Sequence, residues 1–425
     1  MASSRQPTRR RFLKQSAALA ASSGAAPYFV PATALGAPGR PGANDRVGVG
    51  FIGTGGRARQ LMDHLPEEGQ IVAICDVFRR QAEDANAQKK ADWPIYERYQ
   101  ELLERKDVDA VVVATPDHGR VLPCIHACQA GKDVYAEKPL TLTVSEGRVL
   151  VNAARKYERV FQVGSQQRTM EMNRFACDLV RSGGIGKLKL VQAVNYPGPK
   201  RYTGLPEEKI PAGDNWDLWQ AQTEARPFNS ALQFGWMQWR SYSGGEMTNW
   251  GAHGVDQIQW ALGASQTGPV ELWPISAGPN GKVGMRYKNG VEVRFELEGG
   301  PLGGAIFIGS DCKIEINRNK FNTNPKDFVK NPPDPAAAQP WEGPGWIARP
   351  HMQNWLDCIK TRGLPNADVE IGHRSISVCH LVNITRELGR KLQWNPDAEQ
   401  FVGDEDANRS LDRPKRAGFE LPSLA

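Results

Sequence analysis

The segment "VGVGFIGTGGRARQLMDHL", residues 47–65, constrains the fold of this chain more than any other stretch. Its apolar run reads as a buried strand, and the glycine-rich turn that follows passes directly into a helix pattern. Gly53, Gly55 and Ala58 fit G-x-G-x-x-G/A. In that pattern the first glycine permits a tight turn, the second lets backbone approach a pyrophosphate, and the small third residue allows helix–strand packing. Gly56 and Arg57 share the turn. A second strand, "IVAICD", ends in Asp76, 21 residues after Gly55, where an acid can accept from ribose hydroxyls.

The alternation continues. The pattern predicts a helix over 97–106, a strand over 109–115, a helix over 119–130, a strand over 133–137, a helix over 143–157 and a strand over 159–164. Repeated strand–helix units imply a mostly parallel sheet with helices on both faces. Ligands of such sheets lie beyond the carboxyl ends of the strands. Thr115, Pro116 and His118 of "TPDH" fall there, as do Glu137 and Lys138 of "YAEKPL". Pro139 disfavours a helical Lys138, so its amine is expected to project from the sheet edge, where partial burial could tune it for proton transfer.

The chain has 425 residues and a formal charge of +6. Its opening, "TRRRFLKQSAALAASSGAAPYFVPATALGA", reads as a twin-arginine export signal with an Ala32-Thr33-Ala34 cleavage pattern, too short and small-residue-rich to remain as a membrane span. Removing residues 1–34 removes five basic residues and no acids, leaving +1, so composition gives no support to nucleic-acid binding. The remaining length suggests two domains: after a linker at 35–45, a nucleotide domain at 46–165, a second domain at 166–394 and a tail at 395–425. Seven scattered cysteines without metal-ligand spacing read as packing thiols, and no metal site is expected.

"FIGTGGRAR", "ATPDH", "YAEKPL" and "VGSQQR", in this order and spacing, resemble the glucose-fructose oxidoreductase / inositol dehydrogenase / rhizopine-catabolism (Gfo/Idh/MocA) family. The resemblance implies an α/β chain: an N-terminal Rossmann dinucleotide-binding domain, then an α/β domain with an open, mostly antiparallel sheet. It implies oxidation or reduction of a sugar or cyclitol with NAD or NADP, Lys138 as the catalytic lysine, and assembly as a homo-oligomer, dimer or tetramer. The family's second motif, Asp-x-x-x-His, falls on Asn249 and His253. On a helix these lie one turn apart on one side, with Asp256 extending that face. Imidazole titrates near neutrality, so His253 is the candidate base. Asn249 departs from the motif: an amide orients a partner but carries no charge.

Other candidates are less constrained. Gln166 and Arg168 could reach substrate or cofactor, or pack at the hinge. Trp216, Asp217 and Arg240 have the chemistry of a sugar site, although aromatic core explains most tryptophans there equally. "VGMRYKNGVEVRFELEGG" reads as a hairpin, "GHRSISVCHLVNITRELGR" as an amphipathic helix, and the Pro-rich passage from Phe321 to Trp346 as a subunit wrap, a site edge or plain surface. The tail after Trp394 carries no readable chemistry. Asp76 favours NAD, since its carboxylate repels a 2′-phosphate, with Arg79 and Arg80 close enough to admit NADP. Export implies a tightly bound dinucleotide recycled in place. That leaves open a net oxidoreductase, a redox-neutral glycosidase or epimerase working through a transient keto-sugar, and a non-catalytic sugar-binding protein.

Overall fold

In the computed structural model, residue 42, residues 45–334 and residues 348–424 are described. The expected export signal and part of the Pro-rich passage, 335–347, lie outside the described residues. From Val47 onward the chain forms one unit.

Its first half is a six-stranded sheet of order β3-β2-β1-β4-β5-β6. The strands are β1 (Val47–Ile52), β2 (Gly69–Cys75), β3 (Ile95–Tyr96), β4 (Ala110–Val113), β5 (Asp133–Ala136) and β6 (Phe161–Val163), all paired in parallel. Chain order reverses between β1 and β4, which opens a crevice beyond their carboxyl ends. Sequence periodicity gives every strand of this sheet but β3, a two-residue strand at the edge. The helix Arg79–Lys89 buries only Ala82 and Ala85, too little to show as a stripe in the sequence.

Both sheet faces are covered, as an all-parallel sheet requires. On one, Val111, Val113 and Val134 pack against Ile125, Leu150 and Ala154 of the helices Val121–Gln129 and Val144–Lys156. On the other, Val49, Phe51 and Tyr135 pack against Leu61 and, from far along the chain, Met352, Trp355 and Leu356 of the helix Ala348–Thr361. The Tyr135 and Trp355 rings meet edge to face at 5.7 Å. Gln162 donates to the His351 carbonyl at 2.6 Å.

The second sheet has nine strands in the order β13-β12-β11-β7-β10-β9-β8-β14-β15. These are β7 (Leu190–Val194), β8 (Glu271–Pro274), β9 (Val283–Arg286), β10 (Glu292–Leu297), β11 (Ala305–Ile308), β12 (Lys313–Asn317), β13 (Lys320–Asn324), β14 (Leu392–Asn395) and β15 (Gln400–Phe401). Only β7 and β10 pair in parallel; every other neighbour is antiparallel. The expected Lys-Asn-Gly turn joins β9 to β10, with Gly290 at φ +84° and its amide donating to the Tyr287 carbonyl at 2.9 Å. Alternate residues such as Val191, Ala193, Val293 and Phe295 face the buried side.

The helices Glu246–Ala261 and Val369–Leu388 pack against each other between the two halves. The second is buried around most of its circumference rather than amphipathic, because it is sandwiched. Its polar residues are paired inside: His380 with the Thr141 carbonyl, His373 with Glu399, Ser375 with Asp256. Among the described residues no helix is long and apolar enough to cross a membrane.

Candidate active site

A cavity of about 620 Å³ runs beyond the carboxyl ends of β1 and β4, between the two halves. Gly53 turns the chain at φ +84°, and a Cβ there would lie 3.0 Å from the Ala114 and Thr115 backbone. At Gly55 and Gly56 a Cβ would meet nothing within 4 Å, so the backbone at this helix start lies open to the cavity. Ala58 is fully buried, as the motif demands. Asp76, just past β2, accepts from the Thr54 amide at 2.8 Å, the Thr54 hydroxyl at 2.9 Å and the Phe78 amide at 3.0 Å. Burial pushes its pKa up against these bonds, and its carboxylate keeps acceptor capacity toward the cavity. An open glycine cradle at a helix start plus an acid one strand away fits a dinucleotide pyrophosphate and ribose.

The turn is wired to the next strand end. Arg57 donates to Glu137 at 2.9 Å and to Gln166 at 2.8 Å. Burial works against an ionised Glu137, but the cations of Arg57, Lys138 and Arg120 outweigh it and hold the pKa below the usual carboxylate value. Thr115 and Pro116 also line the cavity, and the Thr115 carbonyl accepts from Arg120. Lys138, which enters a cis peptide bond to Pro139, sends its amine across the cavity to Asn249, donating to Oδ1 at 2.7 Å. Burial pushes this amine down to about 8, with Glu137 and Asp117 opposing and Arg57 and Arg120 assisting.

Asn249 and His253 come from the helix Glu246–Ala261, one turn apart, and both line the cavity. The Asn249 amide donates in turn to Glu246 at 3.0 Å. Burial, then the cations of Arg318, Lys138 and Arg57, push the His253 pKa well below that of free imidazole, so it is neutral near pH 7. Arg318 Nη2 stands 3.5 Å from His253 Nε2, and its guanidinium lies over the Trp250 ring.

Several expected site residues are elsewhere. Arg168 and Asp256 meet each other in a buried pair at 2.8 Å, with Ser375 on the same carboxylate; the helix has turned Asp256 away from the cavity. His118 is buried behind the cavity wall, bonded to the Trp219 carbonyl at 2.7 Å and packed on Trp219 and Tyr242. Burial pushes its pKa down to about 3. Trp216 stacks on Trp219 in an aromatic core and donates to the Arg226 carbonyl. Asp217 is exposed and pairs with Arg416, and Arg240 pairs with Glu387 at the surface. Gln166 does line the cavity.

Sequence reasoning missed Glu246, Arg318 and the tail. Arg318 sits in the two-residue turn joining β12 to β13, a hairpin position with no chemical signature of its own. The tail returns to the nucleotide half: Arg413 donates to the fully buried Glu146 at 2.8 Å and to the His118 carbonyl at 3.0 Å, and Phe419 lines the cavity.

The family described as "Oxidoreductase family, NAD-binding Rossmann fold" (GFO_IDH_MocA) matches residues 47–165, and its "C-terminal alpha/beta domain" (GFO_IDH_MocA_C2) matches residues 198–421. The chain belongs to the Gfo/Idh/MocA oxidoreductase family. Inositol 2-dehydrogenase of Salmonella typhimurium is 27% identical to this Gfo/Idh/MocA chain over 166 residues, 39% of this chain and 48% of that protein. The chain thus spans about half the length of such curated relatives. An α-N-acetylgalactosaminidase of Shewanella oneidensis is 31% identical over 153 residues, 33% of each protein. Among solved structures, the WlbA dehydrogenase of Bordetella pertussis, in complex with NADH and UDP-GlcNAcA, aligns with TM-score 0.62 at 17% identity, over 84% of this chain and 99% of that one. A scyllo-inositol dehydrogenase of Lactobacillus casei with bound NAD(H) aligns with TM-score 0.57 at 16% identity, over 82% and 99%. At such identities the Gfo/Idh/MocA likeness is one of fold.

Proposed function

We propose that this protein is an NAD-dependent oxidoreductase of a sugar or cyclitol hydroxyl, working with a tightly held dinucleotide. The observation that carries this reading is the shared cavity. Gly53, Gly55 and Asp76 line the same space as Lys138 and His253, which come from different halves of the chain. Gly55, Gly56 and the helix start behind them would hold the pyrophosphate, and Asp76 the ribose diol. Asp76 favours NAD, and of the two nearby arginines Arg79 is paired with Glu83 at 2.8 Å.

Bound there, the dinucleotide supplies an acceptor for the hydride leaving the carbinol carbon. The chain's own task is the accompanying proton. With its pKa brought down to about 8, the Lys138 amine is poised to donate a hydrogen bond to the substrate oxygen when charged and to take the hydroxyl proton when neutral. His253, neutral near pH 7, can accept from a neighbouring hydroxyl of the substrate and so hold the reacting carbon in place. The cations of Arg57 and Arg318 favour the alkoxide that forms as the proton departs.

The twin-arginine pattern supports export of the folded protein with its dinucleotide already loaded, and outside the cytosol no pool exists for exchange. The tail residue Phe419 lines the cavity, which supports retention. The α-N-acetylgalactosaminidase relative favours a redox-neutral variant as second reading, in which the transient ketone acidifies the neighbouring C–H. Protein purified without added nucleotide is expected to release NAD on denaturation, and Lys138→Ala to abolish turnover of the sugar that is found. No released dinucleotide sinks the closed cycle. Solvent deuterium at the carbon beside the oxidised one selects the redox-neutral reading.

A further inference from the structure

The lysine amine does not end at Asn249. Lys138 Nζ donates to Asn249 Oδ1 at 2.7 Å, and Asn249 Nδ2 donates to Glu246 Oε2 at 3.0 Å. An amide has an acceptor end and a donor end of nearly the same shape, so something must decide which one meets the amine. The amine, when charged, only donates; an ionised carboxylate only accepts. With Lys138 on one side and Glu246 on the other, a single orientation of Asn249 satisfies every group. Glu246 lies one helical turn before Asn249, on the same side of the helix, where i and i+3 residues meet.

We propose that Glu246 is a positioning residue for the reactive lysine: through the Asn249 amide it fixes the acceptor facing Lys138 and supplies the negative charge that position 249 lacks. The inference rests on the assignment of Lys138 as the working amine. The other charged groups around Lys138 are Glu137, Asp117, Arg57 and Arg120, with neutral His253 across the cavity, and none of them contacts the Asn249 donor end.

Glu246→Gln is the discriminating variant, because glutamine keeps the shape but can both donate and accept, so both amide orientations become tolerable. An Asn249 turned the other way presents N–H to an ammonium and disfavours its charge. The Lys138 amine is read directly by acetic anhydride labelling against pH, with peptide mass spectrometry, on the full chain as purified. The E246Q protein is expected to label at Lys138 about threefold faster at pH 7, through a midpoint lowered by about half a unit, and its kcat is expected to rise through the same lowered midpoint with little change in KM. The double variant E246Q/N249D places a carboxylate directly on the amine, so its labelling is expected to return to the wild-type rate or below. A purely structural glutamate at this helix start would lower Tm in both variants and leave Lys138 labelling of E246Q unmoved. Labelling of E246Q identical to wild type, or a double variant as reactive as E246Q, overturns the proposal. Failure to turn over any sugar sinks the enzymatic reading instead, because labelling decides the relay without turnover.

Discussion

Arg57 donates to Glu137 at 2.9 Å, so the turn that would carry the pyrophosphate is tied to the strand end that carries Lys138. The same guanidinium depresses the Lys138 pKa. Arg57→Met is therefore expected to move the rising limb of activity to higher pH. It also leaves Glu137 buried with one fewer cation, at a cost of about 2–3 kcal/mol. Thermal unfolding and a pH–rate profile measure the two effects separately; an unmoved limb contradicts the coupling.

The wild-type profile has a defined sign. Because burial favours the neutral amine of Lys138, bringing its pKa to about 8, sugar oxidation should rise with pH through about 8 and then level off. His253 titrates far below neutrality and contributes no limb there. A kcat/KM profile falling between pH 7 and 9 rules out the neutral amine as proton acceptor.

Two glycines of one turn should behave differently. Gly53→Ala meets backbone at 3.0 Å and a positive φ, and should cost about 1–3 kcal/mol of stability. Gly55→Ala meets no protein atom within 4 Å, so its Tm should stay at the wild-type value while NADH affinity falls about tenfold or more. Calorimetry and nucleotide titration of apoprotein check the pair.

The Arg168–Asp256 pair predicts a loss of stability and not of substrate affinity. Arg168→Leu strands a buried carboxylate and should cost about 3–5 kcal/mol, with KM unchanged in the folded fraction. Arg168→Met with Asp256→Leu should regain most of it. A specific rise in KM for R168L would return Arg168 to the substrate site.

Deleting residues 412–425 removes Arg413 from Glu146 and Phe419 from the cavity wall. The dinucleotide should then be lost by gel filtration from a protein that otherwise keeps its circular dichroism spectrum. Retention in the truncated protein would assign the tail a purely structural part.

What the sequence disclosed was local. Gly53, Gly55 and Asp76 declare themselves because a tight turn and a ribose contact demand particular residues at short fixed spacing, and Lys138, Asn249 and His253 stand where the family resemblance put them. Arg168, Asp256 and His118 lie outside the cavity, and sequence does not show it because a charged or imidazole side chain looks the same whether a ligand or another buried group satisfies it. Glu246 was passed over for the opposite reason. It acts only through Asn249, and an indirect contact leaves no spacing rule to find.

The helix Ala348–Thr361, laid across the nucleotide sheet, sets a timetable for synthesis. Gln162 finds its partner 189 positions later, and Tyr135 has no Trp355 ring to meet until that helix has emerged from the ribosome. A nascent chain therefore carries part of an apolar sheet face through most of translation, until that helix arrives to cover it.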